Sequence, residues 1–186
     1  MPAEIRNHIF GCVFGGKTWH LSTTKPIGVL AKEKNALSLL GVCRQIYAEA
    51  ALIPFEAGIF KAMYPRDISL WLNLHGRAAR EAIKVIHLAD GVWTHRTLPA
   101  FGWASDMKNL LPRLPGLTRI VVSNHCMESD ARRIQSVLEA ASSRERNFTE
   151  LVSSLAKDVE VDFERRIEKY PLRSVSSYSV SKFETY

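Results

Sequence analysis

The chain has 186 residues, 46% of them hydrophobic and 24% charged, and its 25 Lys and Arg outnumber 19 Asp and Glu for a formal net charge of +6. These are the proportions of an average globular protein with a single core, and they exclude disordered, collagen-like and disulfide-scaffold compositions. No run approaches the roughly eighteen consecutive apolar residues of a membrane span, and the opening residues lack the layout of a signal peptide. Three cysteines, Cys12, Cys43 and Cys126, cannot complete a disulfide framework. The expectation is an intracellular protein, cytoplasmic or nuclear, with buried free thiols and no membrane partner.

From Pro2 to Phe14 the apolar residues Ile5, Ile9, Phe10 and Val13 recur at helical spacing, and Gly15 with Gly16 stops the helix. Thr18 to Ser22 reads as a short strand or extended loop before a break at Pro26-Ile27-Gly28. Asn35 is placed to cap a second helix, with Ala36, Leu39, Leu40, Cys43, Tyr47, Ala50 and Ala51 facing the core, Arg44, Gln45 and Glu49 opposite, and Pro54 as its end. Asp67 is placed to cap a third helical stretch carrying Ile68, Trp71, Leu72, Ala79 and Ala82 inward, with Gly76 able to divide it.

Two short apolar runs, 85–89 and 119–122, read as buried strands. Met107, Leu110, Leu111 and Leu114 between them read as a helix, which gives the strand–helix–strand order of a parallel pair. From Asp130 the chain reads as helix, with Asn147 and Glu150 forming a capping box that restarts it. Val159, Val161 and Phe163 then alternate as in a strand. The expected architecture is a helix-rich mixed α/β domain over 1–172, with a small βαβ unit of leucine-rich type and C-terminal helices. Residues 173–186 are expected to be a flexible tail.

Few constellations carry chemistry. Gly11 to Thr18 matches the spacing of a phosphate-binding loop, in which Gly16, Lys17 and Thr18 would hold phosphate and magnesium, and Asp90 ends an apolar run as a magnesium-associated aspartate would. That loop needs a strand before it and a helix after it, whereas the periodicity here predicts the reverse. The six histidines show no metal-ligand spacing, and His125 beside Cys126 is the sole local pairing. No nucleophile-elbow pattern occurs, and Cys43 sits on the predicted core face of its helix. The expectation is therefore a chain with no cofactor, no metal and no catalytic site. Because acidic residues interleave with the basic ones and no recognition motif is present, nucleic acid is not the expected partner.

Met1 to Phe10, MPAEIRNHIF, and Leu39 to Ala50, LLGVCRQIYAEA, resemble the LPxEIRNxIY and LLxVCRQIYxEA segments of a group of fungal F-box-like proteins. Arg77 to Leu88 and Leu114 to Ile120 resemble that group's later GxxARxxIxxLxL and LPxLxxL segments, so the similarity spans residues 1 to about 125. Here Met1 stands for the usual leucine, and the connection between the first two segments is longer than in an F-box. The resemblance implies non-enzymatic docking to a Skp-type adaptor of a cullin ubiquitin ligase, with the rest of the domain recognising a substrate. On the matching residues, Pro2, Ile5, Ile9, Val42 and Cys43 would form the apolar docking surface. If they do, their side chains must stand open in the monomer rather than under the strands.

Overall fold

The computed structural model describes residues 2–22, 28–30, 37–89, 100–127 and 134–168. The architecture is mixed α/β. Helix α1 (Ala3–Phe14) leads into strands β1 (Thr18–Ser22) and β2 (Gly28–Leu30); α2 (Arg44–Ala50) and α3 (Ile53–Glu56) precede β3 (Ile59–Ala62). Helices α4 (Pro65–Leu72) and α5 (Arg77–Ala82) lead to β4 (Val85–Ala89), α6 (Ala100–Leu110) to β5 (Arg119–Met127), and α7 (Ile134–Leu155) to β6 (Glu160–Glu168).

The sheet runs β2-β1-β3-β4-β5-β6, antiparallel only at β1/β2 and parallel elsewhere. Each parallel strand is laid beside its predecessor, so the sheet grows in one direction as a solenoid does. Burial alternates along β3 and β4, while Ile120 to Ser123 of β5 are buried on both sides. Trp19, Phe60, Ile86 and Ile120 form one rung of the register, Ala62, Leu88 and Val122 form another, and both rungs join the main core. That core also takes Ile68, Trp71 and Leu72 from α4, Trp103, Met107 and Leu110 from α6, and Val152 from α7. Helices packed on one side explain the alternation of β3 and β4. Arg113 fastens the layer by donating to the Ser69 carbonyl at 2.9 Å and to Asn73 Oδ1 at 2.7 Å.

A second, small cluster lies at the N-terminal end: Phe10 and Phe14 of α1 and Ala50 of α2, with Val13, Leu39, Leu40, Ile46 and Ile53 packed around them.

Several expectations are corrected. The helix predicted up to Pro54 is broken. Ser38–Gly41 form a single 3-10 turn, Cys43 adopts extended backbone (φ −158°, ψ 161°), and α2 starts only at Arg44. Gly41 and β-branched Val42 are weak helix formers, and Pro54 sits in the first turn of α3, where its missing N–H costs nothing. Cys43 and Tyr47 consequently face outward, and Cys12 and Cys43 are exposed free thiols rather than buried ones. Strand β3 was not foreseen, and a chain of four successive parallel pairings replaces the single βαβ unit expected. Helix α7 runs unbroken through Asn147, so the capping box is not used. The Asn35–Ala36 and Asp130 starts, Asp90, and residues 173–186 lie outside the described residues.

Asp67 does not cap its helix either: Tyr64 is the capping residue, Pro65 opens the first turn, and Asp67 lies inside it, where its carboxylate accepts the Tyr64 backbone N–H. That is the acidic half of a capping box. Asp67 is only 5% exposed, Arg66 stands 3.8 Å away, and Oδ1 has no hydrogen-bond partner among the described residues. Burial pushes its carboxyl above the ordinary value; the Tyr64 hydrogen bond and Arg66 oppose the shift, and Asp106 adds to it. Because the folded form binds its proton more tightly than the unfolded chain, this group costs stability as pH rises through the ordinary carboxylate value of 3.8 towards the folded one. Asp67→Asn is therefore expected to raise the Tm at pH 7 and to remove that loss. A Tm lower than wild type at pH 7 would show the capping bond outweighs the burial.

Candidate docking surface

The N-terminal helical unit is where the described chain leaves most apolar surface open. Among the described residues, six of the ten large apolar side chains that stand exposed belong to it: Ile5, Ile9, Leu37, Val42, Tyr47 and Leu52. On α1 the helical spacing puts Pro2, Ile5, Ile9 and Cys12 in one stripe, beside the sector holding Phe10, Val13 and Phe14. Ile5 is 50% exposed and Ile9 41%. From the neighbouring segment, Val42 is 67% exposed and Tyr47 59%, and Cys43 between them is exposed too. The five residues named from sequence, Pro2, Ile5, Ile9, Val42 and Cys43, are thus all on the outside of this unit, and none is covered by β4 or β5.

Polar contacts set how α1 meets α2. Arg6 donates from Nε to Glu49 Oε2 at 2.7 Å and from Nη2 to Oε1 at 3.0 Å, while Gln45 donates to Oε1 at 3.0 Å. These bonds hold the Glu49 carboxyl below its ordinary value, the Arg6 bond contributing most, then Gln45, with desolvation opposing. A forked guanidinium–carboxylate pair fixes orientation as well as distance, so Ile9 and Val42 are displayed from one body. His8 Nε2 lies 3.9 Å from Cys12 Sγ on the outer side of α1.

The turn after α1 has helix before it and strand after it. Gly15 donates its N–H to the Gly11 carbonyl at 2.8 Å, and Gly16, at φ 66° in the left-handed region that glycine tolerates, donates to the Ala57 carbonyl at 3.0 Å. Two of the amides that a phosphate cradle would use, those of Gly15 and Gly16, are thus committed to carbonyls. Thr18 opens β1 and not a helix, with Gly16 and Lys17 in the turn before it.

A further group was not anticipated. Ser123, 2% exposed on the sheet side away from the helices, lies 2.5 Å from His87 Nε2 and donates to Glu164 Oε2 at 3.1 Å. A hydroxyl has one proton; with that proton on Glu164, the hydrogen-bond network assigns the Nε2 proton to His87 as donor. In an activated serine the order differs, since histidine stands between serine and carboxylate and takes the hydroxyl proton. Here serine occupies the middle, and the cluster ties β4, β5 and β6 together. The signal that could have found these residues is register, because 36 and 41 positions separate the partners.

Among the described residues no group of three or more His, Cys, Asp or Glu is arranged to hold a metal ion, and no helix is long and apolar enough to cross a membrane. Comparison with protein-family models, with curated proteins and with solved structures finds nothing that matches this chain.

Proposed function

We propose that this chain is a non-enzymatic interaction module whose N-terminal helical unit docks a protein partner. The partner implied by the F-box-like segments is a Skp-type adaptor of a cullin ubiquitin ligase, and the sheet domain is then the part that recognises a substrate, inside the cell. One observation carries the reading: Ile5, Ile9, Val42 and Tyr47 stand open on a unit whose core, among the described residues, fully buries Phe10, Phe14 and Ala50. Full burial of an aliphatic side chain is worth about 1.5–3 kcal/mol, and these side chains have roughly half of that still to gain, so covering them together in an interface is worth a few kcal/mol. Such a display resembles the apolar centre of a binding patch.

The test is co-expression with a Skp-type adaptor followed by gel filtration with light scattering. The expected result is a stoichiometric complex that survives moderate salt, since apolar contacts are not screened. A folded protein that elutes alone at micromolar concentrations of both partners would end the adaptor reading.

A further inference from the structure

We propose that His8 and Cys12 form a two-ligand site on the outer side of α1 for a thiophilic cation of the zinc type. The site does not depend on the apolar contacts of the docking surface, and the proposal stands or falls independently of adaptor binding.

Helix geometry brings the two donors together. Residues four apart on a helix lie one turn above each other on the same side, and Ala3–Phe14 runs as one helix through both positions. His8 Nε2 accordingly lies 3.9 Å from Cys12 Sγ. On one tetrahedral zinc ion, with bonds of about 2.0–2.1 Å to nitrogen and about 2.3 Å to sulfur, two such donors stand about 3.6 Å apart. The pair therefore has to close by only about 0.3 Å to share an ion, which side-chain torsions supply without disturbing the helix. This is not a finger-type spacing, so it leaves no metal motif in the sequence.

Access and chemistry agree with the geometry. Both residues are exposed, and Cys12 is a free thiol. Neither side chain has another hydrogen-bond or ion-pair partner among the described residues, so an ion displaces only the contact between them. Thiolate together with imidazole selects zinc and softer ions over magnesium and calcium, which take oxygen ligands. Glu4, one turn before His8, adds negative charge on this side of the helix, whereas Arg6 is turned to Glu49. At that spacing Glu4 is also placed to accept the second ring N–H of a metal-bound histidine. Binding exchanges the Cys12 thiol proton for the ion and releases that proton to the buffer, so affinity rises with pH. Water fills the two remaining positions, and with two protein ligands the site is weaker than a structural zinc centre.

Titration of the reduced, metal-free full chain with Co2+ in place of zinc tests this, because a cobalt–thiolate bond gives a near-ultraviolet charge-transfer band that cobalt on nitrogen and oxygen ligands lacks. The expected result is one such band, saturating at one ion per chain and displaced by Zn2+. Cys12→Ser should abolish the band, His8→Gln should raise the Kd at least about tenfold, and Cys43→Ser should change neither. All three substitutions are at exposed positions, so the metal-free Tm should stay at the wild-type value and a lost band is not a lost fold. The proposal is overturned if wild type gives no thiolate band at millimolar cobalt, if the band survives Cys12→Ser, which places the ion on Cys43 or Cys126, or if His8→Gln binds as tightly as wild type.

Discussion

Replacing Ile9 and Val42 together by aspartate is expected to reduce adaptor capture at least a hundredfold while leaving the Tm within about 2 °C of wild type. Both side chains are more than two-fifths exposed, and exposed substitutions away from special features change stability by only about 0.5 kcal/mol. In an interface the same changes remove two apolar contacts worth about 1.5–3 kcal/mol each and bury a charge that the partner has no reason to pair, so a loss of ~3 kcal/mol or more follows. The control is Leu70→Asp on α4 with Leu74→Asp in the turn after it, two exposed apolar positions outside the N-terminal unit. That pair should keep capture intact. Equal loss in both double variants would mean that added negative charge, and not the N-terminal face, decides the outcome.

The largest expected change in stability comes from Gly116→Ala. A Cβ there would stand 1.8 Å from the Glu81 carbonyl oxygen and 2.9 Å from its carbon, in the turn that leads from α6 into β5. Both obstacles are backbone at the end of α5, so no side chain can swing aside. Accommodation must part the turn from α5 and disturb the bonds that Thr118 and Arg119 donate to the Lys84 carbonyl at 2.9 and 3.1 Å. Overpacking of this kind costs about 3 kcal/mol, which in a chain of this length lowers the Tm by roughly 10 °C. Gly11→Ala provides the contrast, because a Cβ there meets nothing within 4 Å inside α1. It should stabilise by about 0.5–1 kcal/mol through helix propensity. Thermal melts of the two variants side by side decide the matter. A neutral Gly116→Ala would mean the turn is not held against α5.

How much of this was legible in the sequence depended on whether an element's signal was local. Val85 to Ala89 is found as a strand with its bounds intact, because four apolar residues interrupted only by His87 directly after a polar helix end are too short a run for another helix. The parallel pairing of that strand with Arg119 onward followed from the apolar helix between them. Strand β3 escaped notice since four residues, Ile59 to Ala62, show alternation only when β1 and β4 stand on either side. Local capping signals misled at Asn147. Phe148, Leu151 and Val152 pack against the main core just after it, and an unbroken helix carries the chain there without the restart that a cap would impose. The sites split the same way. Pro2, Ile5, Ile9, Val42 and Cys43 could be named from the F-box-like segments, whereas apolar spacing alone put Cys43 in the core, because the break before Arg44 is not visible in composition. His87, Ser123 and Glu164 become neighbours only through strand register, so no reading of spacing along the chain could have assembled them.

The docking claim is tested most directly by hydrogen–deuterium exchange of the protein with and without a Skp-type adaptor. Slowed exchange is predicted in residues 3–14 and 42–50, with β3, β4 and β5 unchanged. Protection confined to the sheet, or none anywhere at saturating adaptor, would contradict it.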